Sequence, residues 1–136
     1  MILPEENQQV IVHNLLKMEE CLNTEKGLQN CLNLLSLVAF PAQGVLDITH
    51  DPTAMFVALI IIEQFGLIQK VYDDRSQAWY DKNENNIKET KKALLEFTKD
   101  LKTGLEKNDE QMIYKATKTF FAIFHFQARQ VTADIR

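Results

Sequence analysis

The sequence contains few residues that interrupt regular structure, with four glycines and three prolines among 136 residues. Linkers, low-complexity tracts and glycine-rich loops need more of them. No GxGxxG, GxxxxGK[ST] or GxSxG motif occurs, so nucleotide-binding loops and the hydrolase nucleophile elbow have no basis in this chain. Because the length also suits one hydrophobic core, a single domain over 1–136 is predicted.

Cysteine is scarce, and the only two are Cys21 and Cys31. They form no CxxC pair, and no Cys/His cluster has zinc-ligand spacing. Both lie in apolar, periodic stretches, which is typical of buried thiols in a reducing compartment. We therefore expect two free thiols, with a disulfide between them as the alternative.

Positive charge is also limited, because 15 Lys and Arg face 19 Asp and Glu and the formal net charge is −4. Affinity for nucleic acids depends mainly on cations that neutralise phosphates, so no nucleic-acid partner is expected. Hydrophobic residues make up 46% of the chain, which is typical of a globular protein and too high for a disordered one.

Long apolar runs are missing. The longest, residues 54–62, ends at Glu63 and Gln64, whereas a membrane-spanning helix needs about 20 apolar residues. The N-terminal residues carry neither a basic flank nor a long apolar core, so no signal or transit peptide is expected. These features predict a cytoplasmic protein without membrane insertion.

Helical periodicity of apolar residues is present along almost the whole chain. The first helix is predicted to begin near Pro4, and Thr24 offers a cap for the second. The apolar stripe of the second helix begins at Leu28 and is predicted to end at Pro41, because proline interrupts helix interiors. From there to Pro52 the composition indicates a connection with at most a short helical turn.

The segment at about 52–72 has apolar residues around nearly its whole circumference. Asp51 and Pro52 favour a helix start there. A helix that is apolar on all sides is usually the central one of a bundle. The alternative is a strand over 56–62, where β-branched residues are frequent, but the apolar pattern continues to Val71 and no partner strand is visible. A central helix is therefore predicted.

Two further helices complete the prediction. A long fourth helix begins near Ser76, and the asparagines at 83–86 leave open whether it is continuous. A fifth helix follows the turn at 107–109 and has a wide apolar face. The sequence therefore predicts an all-α, single-domain helical bundle of about five helices with mostly antiparallel neighbours.

Candidate metal ligands are few. Residues 81–92 begin like a calcium loop, but Asn86 stands where glycine is required and Lys92 where a bidentate glutamate is required. The three histidines are His13, His50 and His125. None of them has the spacing of a metal-binding pair. No metal and no cofactor are predicted.

The segment FFAIFHFQAR at 120–129 contains four phenylalanines and a histidine. Helical spacing assigns three of these phenylalanines to the buried face, whereas Phe126 lies among charged residues on the polar face. His125 and Arg129 share that face. A catalytic histidine needs an orienting carboxylate, and no acid is near it in sequence, so no catalytic residue is predicted.

The sequence therefore predicts a non-enzymatic adaptor or regulatory protein that binds another protein or a second copy of itself, as a homodimer. The candidate partner-binding residues are Phe126, Arg129, Tyr114, Trp79 and Tyr80. One alternative is a small-molecule or lipid-binding bundle, in which the apolar helix at 52–72 and the last helix enclose a pocket. A further alternative is a metal-dependent enzyme whose scattered histidines and acids meet in the fold.

Overall fold

The computed structural model describes residues 1–24 and 27–132, and that part of the chain is helical without any strand. The six α-helices are α1 (Glu5–Asn23), α2 (Leu32–Ile48), α3 (Pro52–Tyr72), α4 (Gln77–Lys82), α5 (Glu84–Glu106) and α6 (Glu110–Thr132), and a short 3-10 helix (Leu28–Asn30) precedes α2. The predicted all-α helical bundle is confirmed. The predicted first turn of the second helix includes residues 25 and 26, which lie outside the described residues.

The five long helices pack around one hydrophobic core. α1 lies between α2 and α5, α3 packs on the far side of α2, and α6 packs on the far side of α5. A light contact between α3 and α6 closes the arrangement. Each long helix contributes fully buried side chains, including Leu15, Val38, Ile61, Leu101 and Ile113.

Helix α2 continues through Pro41 to Ile48, so the predicted end at Pro41 and the predicted connection from there to Pro52 are wrong. Proline has no N–H with which to continue the helical hydrogen bonds. Two asparagines of α1 bond to carbonyls of α2 at this point, Asn7 to the Pro41 oxygen and Asn14 to the Leu37 oxygen. Contacts from a neighbouring helix therefore support α2 where its own hydrogen bonding is interrupted.

Helix α3 has the predicted bounds, but it is not central. Asp51 caps it as expected, since its carboxylate accepts a hydrogen bond of 3.0 Å from the Ala54 amide. Because α3 packs closely on α2 alone and only lightly on α6, its outer side faces solvent and exposes Met55, Phe56 and Leu59. By length and composition it is the one helix among the described residues that could cross a membrane, and 44% of its apolar window is buried.

Asn83 separates α4 from α5, whereas Asn85 and Asn86 lie within α5. This answers the question left open by the sequence and gives six α-helices in the described part of the chain. α4 begins at Ser76, whose hydroxyl accepts from the Trp79 amide. It ends at Asn83, whose side-chain amide donates to the Trp79 carbonyl at 2.8 Å. The Asn83 backbone amide donates to the same carbonyl, so side chain and backbone share this acceptor at the end of α4, a local bonding pattern that favours asparagine at helix ends.

Cys21 and Cys31 form a disulfide, contrary to the expected free thiols. They lie at the end of α1 and immediately before α2, with 6.0 Å between their Cα atoms. The bond therefore joins the end of α1 to the start of α2, a proximity that helical spacing within each segment does not reveal. Disulfides rarely persist in a reducing cytosol, so this bond argues against the cytoplasmic location, which stays a prediction.

Candidate functional site

Phe126 and Arg129 lie on the solvent-facing side of α6, where Phe126 is 60% exposed. Arg129 lies about one turn from Phe126, and Lys118 and Lys115 are exposed about two and three turns away on the same helix. Tyr114 is only half-buried, and its ring packs edge-on against Phe56 of α3 at 5.4 Å. The structure therefore places two of the predicted residues on one basic outer surface of α6.

Trp79 and Tyr80 have a different role. The Tyr80 side chain is buried, and its hydroxyl donates to the carbonyl of Tyr72. Trp79 is half-buried against Tyr72, and the Arg75 guanidinium lies 5.0 Å from the centre of its ring. Both aromatic residues hold α4 against the end of α3, and Tyr80 offers almost no surface to a partner.

His125 is stacked on Phe121, with 4.8 Å between the ring centroids. No acid–base partner of His125 appears among its contacts in the described residues. Within residues 1–24 and 27–132, no group of three or more His, Cys, Asp and Glu side chains could hold a metal ion. The metal-dependent enzyme alternative thus gains no support from this arrangement.

A buried hydroxyl cluster connects α3 to α5. The Tyr72 hydroxyl lies 2.8 Å from both Asn86 Oδ1 and Thr90 Oγ1. Since tyrosine has one hydroxyl proton and gives it to Asn86, the Thr90 hydroxyl donates to the Tyr72 oxygen. Burial raises the pKa of Tyr72 to about 12, and the hydrogen bond from Thr90 opposes this shift. Asn86 also donates to the Gln127 carbonyl of α6, so the cluster ties three helices together.

A groove of about 490 Å³ runs between α5 and α6. Its apolar floor includes Ala93, Phe97, Ala116 and Phe120, and the two phenylalanine rings stack at 4.7 Å. Both acids and lysines line the rim, namely Glu89, Glu96, Asp100, Lys92 and Lys115. Burial, with a smaller effect from Glu96, raises the pKa of the Asp100 carboxyl. The volume lies within the range of ligand pockets.

The largest group of exposed apolar side chains lies elsewhere, on the outer side of α2 and α3. Twelve large apolar residues are exposed in the described part of the chain, and half of them belong to these two helices. We call this surface the α2–α3 face: Leu37, Phe40, Ile48, Met55, Phe56 and Leu59. Phe40 is the most exposed at 76%.

The α2–α3 face lies in a segment without positive charge, because no Lys or Arg occurs from residue 27 to residue 69. Three acids and one histidine are the other ionisable side chains there apart from Cys31: Asp47, Asp51, Glu63 and His50. Sequence reasoning missed this surface because it placed α3 in the centre. The absence of cations over such a long stretch was the available signal.

Comparison of the chain with protein-family models, curated proteins and solved structures finds no match.

Proposed function

We propose that this chain is a non-enzymatic protein-binding bundle, an adaptor or regulator, and that the α2–α3 face is its binding surface. The observation that carries this proposal is the exposure of six large apolar side chains in a segment without lysine or arginine. At about 200 Å² for a large apolar side chain, the exposed fractions amount to roughly 600 Å² of apolar surface. Summed over the two helices, this area matches the largest apolar patches on monomers, which are often functional.

The arrangement of polar groups also supports binding over catalysis. The buried polar cluster around Tyr72 has its hydrogen bonds satisfied by Asn86 and Thr90 inside the bundle. The exposed histidine of α6 stacks on a phenylalanine, with no carboxylate oriented toward it in the contacts of the described residues. The six side chains of the α2–α3 face, in contrast, each leave more than a third of their surface exposed, although Phe56 also packs against Tyr114 of α6.

The test is site-specific photo-crosslinking in the cells that make the protein. A photoreactive phenylalanine analogue at Phe40 should give a discrete protein adduct, because the side chain would lie within the interface. The control position is Lys88, which is exposed on α5, a helix that α1 separates from α2 in the packing order. If position 40 gives no more adduct than position 88, the proposal is wrong.

A second candidate function is the binding of a small apolar molecule in the groove between α5 and α6. It is favoured by the stacked Phe97 and Phe120 on the groove floor and by the volume of about 490 Å³. Native mass spectrometry of the purified chain tests it. A bound molecule of defined mass that disappears when Ala116→Leu fills the groove would support it, and a chain without bound ligand would contradict it.

A further inference from the structure

We infer that the α2–α3 face binds a second copy of this chain and forms a symmetric dimer. This inference rests on the proposed function, since it names the partner for the same surface. Three features of the surface favour a second copy over other occupants: its lack of cations, the position of its few carboxylates, and its area.

The lack of charge argues against a charged protein partner. The outer side of α2 and α3 has no cation over residues 27–69 and only three acids. An acidic partner would find no opposite charge there and a basic partner only three acids, although charge complementarity is what usually provides specificity. The cores of interfaces are depleted in charged residues, and those of homodimers are the most apolar. The α2–α3 face has this composition, so a second copy of the chain would offer a matching apolar surface.

The carboxylates argue against a lipid surface. Helices that lie on membranes have lysine and arginine beside their apolar residues, and these cations bind anionic head groups. The α2–α3 face instead has carboxylates in its segment, those of Asp47, Asp51 and Glu63, so an anionic membrane would repel it. The cations of this chain that accompany exposed aromatic residues lie on α6, at Lys118 and Arg129.

The area fits a dimer. On α2, spacings of 3 and 8 residues place Leu37, Phe40 and Ile48 within an arc of about 80°. Roughly 600 Å² of apolar surface from each copy gives about 1,200 Å² in total, the lower limit of a specific interface before polar flanks are added. A two-fold axis would pair α2 and α3 of one copy with the same helices of the other in a layer of four helices.

The experiment is light scattering on the size-exclusion peak, with analytical ultracentrifugation to obtain the dissociation constant. The unchanged chain should have twice the mass of 15.7 kDa. Phe40→Glu should weaken the dimer at least 100-fold. Phe126→Glu, the same substitution at an exposed phenylalanine of α6, should leave it unchanged. Circular dichroism checks folding, and Ile48→Glu replaces Phe40→Glu if that variant does not fold.

The other outcomes separate the inference from the proposed function. A monomer whose photoreactive position 40 still captures a different protein overturns the dimer and retains protein binding as the function. A monomer without any adduct overturns both.

A dimer that Phe126→Glu breaks and Phe40→Glu does not would place the interface on α6 and overturn the inference. A monomer that binds phosphatidylcholine–phosphatidylglycerol vesicles through Phe40 would make the face a lipid-binding surface, which also overturns it.

Discussion

The side chain of Asn14 in α1 donates a hydrogen bond of 3.0 Å to the backbone carbonyl of Leu37 in α2. In an uninterrupted helix that carbonyl would accept from the amide of residue 41. Residue 41 is proline and has no N–H, so the helix itself leaves the carbonyl without this donor. Asn14 supplies the donor from outside, and this explains how α2 continues beyond a proline in its interior.

Asn14→Ala should therefore destabilise the fold by about 1–2 kcal/mol, because the part-buried Leu37 carbonyl loses its partner. In a Pro41→Ala background the same change should cost less than half as much, since an alanine at this position would provide the missing N–H. Urea unfolding of the two single variants, the double variant and the unchanged chain gives the coupling energy. Equal costs in both backgrounds would show that Asn14 does not compensate for the proline.

Two glycines within helices should respond to alanine with opposite signs. At Gly104 a Cβ atom would lie 2.6 Å from Ile113 Cγ1 and 3.2 Å from the Asp109 carbonyl oxygen, so Gly104→Ala should cost about 1–3 kcal/mol. At Gly66 a Cβ atom meets nothing within 4 Å, and Gly66→Ala should stabilise α3 by about 0.5–1 kcal/mol. Denaturant midpoints measure both. A stabilised Gly104→Ala variant would contradict the close packing of α5 against α6.

Local signals in the sequence were sufficient for the helical class and for the bounds of α3. Asp51 followed by Pro52 is a start signal, and the apolar period continues to the end of the helix. Local signals were not sufficient for α2. The side chain that replaces the missing N–H of Pro41 is Asn14, which lies on another helix and more than twenty residues away. Hydrogen bonds from a separate element are not visible in local periodicity.

The candidate surface was harder to predict than the fold, because apolar periodicity does not say how many neighbours a helix has. The pattern of α3 is compatible with a central helix and with an edge helix that exposes Phe56. For α6 the pattern was sufficient, and it placed Phe126 on the exposed side. Tyr80, a candidate partner-binding residue, is buried because its hydroxyl bonds to the Tyr72 carbonyl of α3, and periodicity does not reveal such a contact between helices.

Removal of the disulfide between Cys21 and Cys31 should lower the free energy of unfolding by about 2–3 kcal/mol. The bond closes a loop with a sequence separation of 10, and a cross-link of that size mainly restricts the unfolded chain. Urea unfolding with and without reductant measures the effect, and the Cys21→Ser/Cys31→Ser variant, which reductant should not affect, is the control. Labelling of two free thiols in the unfolded, unreduced chain would show that the bond is absent.

Tyr72 should make the protein sensitive to high pH. Burial raises its pKa to about 12 in the folded chain, whereas an unfolded tyrosine has a pKa of about 10. Below pH 10 both states keep the proton and the stabilising contribution is complete. Between pH 10 and 12 only the unfolded state releases the proton, so the contribution falls by about 1.4 kcal/mol per pH unit.

The matched comparison is Tyr72→Phe, which loses the hydrogen bonds with Asn86 and Thr90 and should be less stable by about 1–2 kcal/mol at pH 8. As the pH rises above 10, the unchanged chain should lose stability faster than this variant, because only the unchanged chain contains the Tyr72 hydroxyl. Tyr80, whose pKa burial also raises, is common to both proteins. Urea midpoints from pH 8 to 11.5 should therefore converge. Tyr114→Phe, at a tyrosine outside the cluster, controls for the number of tyrosines. Parallel curves for the unchanged chain and Tyr72→Phe would mean that the Tyr72 hydroxyl is not held protonated by its surroundings.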